Sequence, residues 1–480
     1  MTINSLNFDA QELREKILDL AMRGKLVKQD PNDEPASVLL KKIAQEKKQL
    51  IKEKKVKKTK PLPEITDEEK PFNIPDSWEW VRLGDISEVI LGQAPKGTTV
   101  HTQSVGVEFH QGKTEFTNEI IGKSNKFTTQ DNKIVDQSYI LMAVRAPVGD
   151  VNLLDRSIFI GRGLAGIKGY SINKKYLFYY LNTKKSYYNK LSTGSTFKAI
   201  NGTIIQNTPI ALPPLEEQSR IADKIAQLFT LLRKVESSTK QYVELQQLLK
   251  NKVLDLAMQG KLVEQRDDEE PASVLLEKIR TEKAELIKEK KIKKTKPLPE
   301  ITDEEKPFDI PDSWEWVRLG DVANWAAGAT PSRKKQEYYL DGTIPWLKTG
   351  DLNDAVINTT SEFITELGAQ NSSVKLNKPG NILIAMYGAT IGKLGIVGKK
   401  ALTTNQACLG GEPYIGVYNW YLFYYLLASR KSLIKLGAGG AQPNISKQKV
   451  ENYIFSLPPL NEQKRIVVKV EELLSLISNK

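Results

Sequence analysis

The strongest constraint on this 480-residue chain is that much of it is written twice. Residues 57–85, KKTKPLPEITDEEKPFNIPDSWEWVRLGD, return at 293–321 with a single difference, Asn73 against Asp309. The match begins earlier: ILDLAMRGKLV (17–27) answers VLDLAMQGKLV (253–263), and EPASVLLKKI (34–43) answers EPASVLLEKI (270–279). It resumes later, where IALPPLEEQSRIADKI (210–225) answers FSLPPLNEQKRIVVKV (455–470). The offset is 236 before the interiors and 245 after them, so the second interior is nine residues longer. A repeat of this size predicts two copies of one unit. Each copy has a shared lead-in, a divergent interior (roughly 87–205 and 323–450) and a shared exit. Interiors that differ between matched frames are expected to differ where they contact something.

The join between the copies predicts a rod. Residues 215–259 contain no Gly or Pro, and Ile221, Ile225, Leu228, Leu232, Val235, Tyr242, Leu245, Leu249, Val253 and Leu256 recur mostly at spacings of 3 and 4. That is one apolar stripe on a helix, with Pro213-Pro214 before it and Gly260 after it in favoured places. Such a helix spans roughly 65–70 Å and needs a packing partner. The run from residue 460 repeats its first half, with Ile466, Val470, Leu473 and Ile477 on a stripe, and residues 6–24 repeat its second half. The two chain ends are therefore expected to act as one split helix, end to end and antiparallel to the rod, in a pseudo-two-fold, circularly permuted arrangement.

Charge is concentrated. The net formal charge is +12. Residues 41–60 hold ten Lys against Glu46 and Glu53, and residues 277–296 hold nine basic against four acidic residues. Two readings stay open: solvated helix faces, or surfaces that track phosphate or bind a partner. One cysteine, Cys408, excludes an internal disulfide, and two histidines, His101 and His110, cannot build a His-rich metal site unaided. No apolar run approaches 18 residues and the N-terminus has no apolar signal core, so a cytoplasmic, non-membrane protein is expected.

Several motifs invite chemistry and fail. GRGLAG (161–166) lacks the helix and later acid of a dinucleotide site. GATIGKL (388–394) has three residues between its glycines rather than four, and Leu394 stands where a phosphate loop needs Ser or Thr. A tight turn offering backbone N–H groups and Lys393 to a nucleic-acid phosphate remains. The acids of PEITDEEK are consecutive in a Pro-bounded linker, unlike the converging carboxylates of a metal nuclease. The YLFYY segments (176–180 and 421–425, the latter within WYLFYYLLA) read as core, and Trp78, Trp80, Trp314 and Trp316 as domain anchors. No Asn-Pro-Pro-aromatic run, Ser–His–Asp set or Cys–His pair is present, and no catalytic constellation emerges.

The lead-in W-x-x-x-x-LGD-[IV], GTIPWLKTGDL (342–352), GATIGK (388–393), GAGGAQPNIS (437–446) and the exit LPPL-x-EQ-x-RI together resemble the DNA-specificity subunit of type I restriction–modification enzymes. The likeness covers nearly the whole chain. It implies an α+β fold: two mixed α/β target-recognition domains, separated by a long antiparallel coiled-coil-like spacer. Each domain would read one half of a bipartite site in double-stranded DNA. The resemblance implies no catalysis by this chain and no cofactor of its own. Two methyltransferase subunits using S-adenosylmethionine would dock on it, joined by restriction subunits using ATP and Mg. The first interior departs further from the pattern, with QGKTEFTNEI and RAPVGD where the second has IPWLKTGDL and GATIGK.

The expected division is N-terminal helices 1–60, target domain 61–212, spacer helix 213–262, Lys-rich helix 263–296, target domain 297–457 and C-terminal spacer helix 458–480. Base edges are read by Arg and Lys on guanine and by Asn and Gln on adenine. Candidate DNA contacts are therefore Arg145, Arg162, Ser195, Thr196 and Lys198 in the first domain. In the second they are Arg333, Lys334, Lys348, Lys393, Gln442 and Asn444. The alternatives are a tandem DNA-binding or scaffold protein without methyltransferase partners, and a stand-alone enzyme, against which the missing motifs argue. The near-identity of 57–85 and 293–321 exceeds what structural equivalence demands, which suggests recombination between repeats.

Overall fold

A computed structural model of the protein describes residues 9–193, 198–437 and 444–478. The chain divides into two compact units, one ending at Lys240 and the other beginning at Gln241. Each contains one interior mounted on helices.

In the first unit the helix Ala10–Met22 starts at Asp9, whose carboxylate accepts from the N–H groups of Gln11 and Glu12. Gly24 ends it at φ +68°, and a Cβ there would stand 2.5 Å from Pro75 Cγ, so glycine is needed both for the left-handed turn and for the close approach. The Lys-rich helix Ala36–Lys52 buries Ala36, Leu39 and Ile43 on one face. An extended linker then leads to strand Glu79–Arg82, which pairs antiparallel with Pro209–Leu212. This two-stranded clasp joins the way into the interior to the way out. Between its strands lie a four-stranded antiparallel sheet ordered Ser87–Leu91, Leu164–Gly169, Ile140–Ala143, Val151–Leu153, and a mixed sheet of five short strands. In the mixed sheet Val107–His110 runs parallel to Ile158–Ile160. The helix Lys174–Thr183 fills the core: Tyr176 and Tyr180 are fully buried, and the Tyr176 hydroxyl donates to Ala211 O at 2.6 Å.

The second unit repeats this plan. Glu315–Arg318 pairs with Ile454–Leu457. The main sheet is ordered Ala323–Ala327, Cys408–Pro413, Ile382–Ala385, Leu394–Val397, Ala355–Ile357. Strand Ile344–Leu347 runs parallel to Leu402–Thr404. The helix Asn419–Ala428 buries Tyr421 and Tyr425, whose hydroxyls donate to Ser456 O and Ile454 O, each at 3.0 Å. Equivalent strands locate the extra residues of the second copy. His110 and Leu347 take the same place in the parallel pairings, and Ala143 and Ala385 end equivalent strands. The largest insertion therefore falls between these points, after the strand Ala355–Ile357, whose counterpart in the first unit is Ile120, bridged in parallel to Leu153.

The shared blocks make the same tethers in both copies. Trp78 is buried and donates from Nε1 to Glu217 at 2.9 Å; Trp314 does the same to Glu462 at 2.9 Å. Gln29 donates to Glu217 at 2.6 Å and Gln265 to Glu462 at 2.5 Å. Lys47 reaches Gly84 O at 2.7 Å, and Lys283 reaches Gly320 O at 2.9 Å. Trp80 and Trp316 are half-buried, each 5.2 Å from a partner ring, Phe72 or Phe308.

The predicted rod is present as one helix, Leu215–Met258. In the first unit it is lined antiparallel by the N-terminal segment: Arg14 meets Glu236 at 3.1 Å, and Gln29 meets Glu217. In the second unit the C-terminal helix Leu460–Ser478 lines it: Gln246 donates to Ile477 O at 2.7 Å, and Ser456 donates to Met258 O at 3.0 Å. On the apolar stripe Ile221 and Ile225 are buried, Val253 and Leu256 are half-buried, and Val235, Leu245 and Leu249 are 44%, 57% and 55% exposed. The expected meeting of the two chain ends falls on residues 1–8 and 479–480, outside the described residues. No described helix is long and apolar enough to cross a membrane.

Candidate nucleic-acid interface

In each unit the parallel strand pairing gathers five loops along one edge, stitched by backbone hydrogen bonds. In the first unit Gly161 N–H donates to His110 O (2.7 Å) and Gly163 N–H to Gln111 O (3.1 Å), so the turn bearing Arg162 lies beside the loop at 111–113. Val144 N–H donates to Gly163 O (2.9 Å), which adds the hairpin bearing Arg145. Ala146 N–H donates to Lys198 O (2.9 Å), adding the loop before Ile200. Gln93 N–H donates to Ile160 O (3.1 Å), adding the loop at 92–97.

The second unit repeats three of these stitches: Asn405 N–H donates to Leu347 O (3.0 Å), Met386 N–H to Ala407 O (2.8 Å) and Ala329 N–H to Thr404 O (2.9 Å). A further one, Ile445 N–H to Met386 O (2.8 Å), matches Ile200 N–H to Val144 O (3.0 Å) in the first unit. Isolated bridges seal the same pair of loops in both, Arg145 with Ala199 and Tyr387 with Asn444. RAPVGD and YGATIGK are thus one hairpin in two versions. Gly149 and Gly392 both take positive φ and donate N–H back to the preceding strand, at Ala143 O (2.8 Å) and Ala385 O (2.9 Å).

The sequence candidates distribute along these edges. Arg145, Arg162 and Lys198 are exposed on three adjoining loops and carry no ion pair among the described residues. Ser195, Thr196 and Gln442 lie outside the described residues. Lys334, Lys393 and Asn444 are exposed on the second edge. Arg333 and Lys348 share one carboxylate: Glu362 Oε2 is 2.6 Å from Arg333 Nη2, and its Oε1 is 2.6 Å from Lys348 Nζ. The hydrogen bond from Lys348, joined by Arg333, holds the Glu362 carboxyl below its ordinary range against the opposing effect of burial. The glycine turn differs from its sequence reading. The N–H groups of Ile391, Gly392 and Lys393 donate within the hairpin, to Gly388 O, Ala385 O and Thr390 O. What the turn offers a phosphate is the Lys393 ammonium rather than a cradle of those amides.

Three edge residues escaped the sequence reading. Gln111 occupies the place of Lys348, Gln406 the place of Arg162, and Lys96 lies on the loop that in the second unit carries Arg333. All three are exposed. Behind Gln111, His110 is wholly buried, with Nε2 2.8 Å from Glu108 and Nδ1 3.3 Å from Glu115. Burial pushes the Glu108 carboxyl up, but hydrogen bonds from Arg156, the Ser124 N–H and His110 outweigh it and hold the group at about 2. This fixed charge network holds the strand that presents Gln111. No cluster of His, Cys, Asp or Glu suited to a metal occurs among the described residues.

Two matched edges of polar loops on divergent interiors, each clasped by shared flanks, define a class of two-headed recognition protein. The family profile described as "Type I restriction modification DNA specificity domain" matches residues 75–245 and 311–480, once in each copy. The chain is 32% identical to the type I restriction enzyme EcoAI specificity subunit of Escherichia coli, over 97% of this chain and 89% of that one. It is 28% identical to the EcoEI specificity subunit of Escherichia coli, over 98% and 90%. Among solved structures, the HsdS subunit from Thermoanaerobacter tengcongensis superposes with a TM-score of 0.50 at 20% identity, over 85% of this chain and 92% of that one. A chain from a type I R-M system, solved to explain complex assembly, gives 0.58 at 20% identity, over 85% and 93%. The chain belongs to the family of type I restriction–modification DNA-specificity subunits.

Proposed function

We propose that this chain is the DNA-reading subunit of a type I restriction–modification complex. Each five-loop edge reads one half of a bipartite site, and the central helix sets the unread spacing between halves. The observation that carries this reading is the contrast within the duplication: tethers repeat almost letter for letter while the stitched loops carry different polar tips. On this reading Arg145, Arg162, Lys198, Lys96 and Gln111 face one half-site, and Arg333, Lys334, Lys348, Lys393, Gln406 and Asn444 the other. Ser195, Thr196 and Gln442 belong to the same loops in the sequence. Two methyltransferase subunits dock on the helices and supply adenine methylation from S-adenosylmethionine; restriction subunits add ATP- and Mg-dependent cleavage. The chain itself contributes recognition and no chemistry.

The test is genome-wide mapping of N6-methyladenine with the gene present and deleted. A bipartite motif that disappears on deletion supports the reading, and an unchanged set of motifs refutes it. Failure of any methyltransferase to co-purify with the full chain would favour the scaffold alternative.

A further inference from the structure

One arginine on the second edge is held unlike any other candidate. The Arg333 guanidinium lies 4.3 Å from the centre of the Tyr339 ring and 4.8 Å from that of Trp346. Those rings meet edge to face, with centroids 6.0 Å apart at 76°. Glu362 pins Nη2 from the side at 2.6 Å. Yet the Arg333 side chain remains 50% exposed. Three restraints on a half-exposed cation need an explanation.

Holding the loop is not that explanation. Trp346 Nε1 already donates to Ala329 O at 3.1 Å, and the Tyr339 hydroxyl donates to Pro331 O at 2.5 Å. Both rings are thus tied to the loop before Arg333 begins. A surface ion pair contributes little by itself. What stacking and one-sided pairing do provide is orientation. A planar guanidinium that stacks on rings keeps its donor edge in a fixed plane, and ordering before binding removes an entropic cost of recognition. Lysine could not exploit such a platform, being a point charge on a flexible stem. The same carboxylate also fixes Lys348, so two cations from different loops present a set geometry. The corresponding turn of the first unit carries Lys96 and Gly97, with no arginine, so this device belongs to one half-site alone.

We infer that Arg333 reads a guanine in the half-site of the second domain, and that Glu362 is its positioning residue. Guanine presents O6 and N7 in the major groove, and a guanidinium edge meets both at once. The inference rests on the proposed DNA-reading function and assigns it a base and a position.

The experiment maps N6-methyladenine in cells carrying the full chain with its own methyltransferase, comparing wild type with Arg333→Lys and Glu362→Gln. Wild type is expected to yield a bipartite motif. In Arg333→Lys, one guanine position in one half relaxes, with discrimination there falling by about 5- to 150-fold. Glu362→Gln relaxes the same position by a smaller factor, an effect that a purely structural role would not confine to one base. Unchanged motifs in both Arg333→Lys and Glu362→Gln overturn the inference, as does weakening of all sites without relaxation at one position. If Arg333→Lys fails to accumulate, Glu362→Gln decides alone. Absence of any bipartite motif in wild type would instead sink the proposed function.

Discussion

Arg82 and its twin Arg318 permit a quantitative test of the duplicated frame. The Arg82 side chain is 5% exposed and sits where the linker meets the clasp. It donates to both oxygens of Glu69 (2.7 and 2.8 Å), to Pro63 O (3.0 Å), to Glu64 O (2.9 Å) and to Asn207 O (2.6 Å). Arg318 makes the same set with Glu305, Pro299 O, Glu300 O and Asn452 O. One guanidinium thus binds the linker before the interior to the strand after it. Arg82→Met keeps the stem and removes every donor. Breaking a buried charge pair costs about 3–5 kcal/mol. Glu69 is 35% exposed and can rehydrate, so the lower end applies, about 3 kcal/mol, or roughly 100-fold in local opening. Hydrogen exchange on the full chain, read by mass spectrometry, resolves the two copies. Peptides from 61–86 should exchange about 100-fold faster in Arg82→Met while those from 297–322 hold, and Arg318→Met should reverse the pattern. The Glu69 carboxyl is held at about 2 by the Arg82 hydrogen bonds and the Thr66 N–H. A lowered carboxyl stabilises above its unfolded value near 4.3, and that help is lost as pH falls through about 2. The tether should therefore survive to pH 4. A change under tenfold, or equal loosening of both units by one substitution, would refute the account.

Two further outcomes follow from single groups. Burial lowers the Lys184 ammonium to about 8, and the Tyr180 and Tyr187 rings lie beside it. Its folded value lies below the unfolded one, so the folded state gains stability as pH rises from about 8 to 10. Lys184→Met should raise the stability of the first unit by about 1–3 kcal/mol at pH 7, net of the lost ring contact; the gain should vanish near pH 10.5 in thermal melts, and a pH-independent gain would contradict it. For the exposed cations Arg162 and Lys393, alanine substitution separates phosphate from base contact. If either holds a phosphate, binding to all duplexes weakens and the slope of log affinity against log salt falls by about one.

The frame was legible because duplication and helical periodicity are properties of the letters. The central helix Leu215–Met258 lies inside the expected spacer 213–262 and fills the Gly- and Pro-free run 215–259 to within a residue, since Pro214 and Gly260 leave the boundary little freedom. The loop edge was less legible. Arg145, Arg162 and Lys198 were singled out by chemical type, but nothing in their spacing puts them side by side. That follows from Val107–His110 lying parallel to Ile158–Ile160, a pairing between segments about fifty residues apart. Gln111 and Gln406 were missed for the same reason, as residue-by-residue matching fails where strand register still holds. The exposure of the middle of the central helix was not legible, because periodicity reports which face is apolar and not how deeply it is buried.

The placement of the near-identical stretches has a physical consequence. The groups that tie each lead-in to its exit lie in a shared block or are backbone carbonyls. Trp78 meets Glu217, Arg82 meets Glu69 and Asn207 O, and Lys47 meets Gly84 O. The partners in the second copy are Glu462, Glu305, Asn452 O and Gly320 O. Interior side chains add contacts of their own, Tyr176 to Ala211 O and Asn173 to Ser219. An interior bounded by LGD at one end and LPPL at the other can therefore be exchanged without unmaking the lead-in-to-exit tethers. A carbonyl accepts whatever its side chain, so even the contact at Asn207 tolerates change there. Such a frame decouples stability from specificity: substitutions among the stitched loops alter what is read, and substitutions in the tethers alter whether the domain stands. That separation is what recombination between the repeats would need in order to yield folded proteins with new targets. Divergent nucleotide sequence beneath 57–85 and 293–321 would show instead that the protein's contacts alone keep the copies alike.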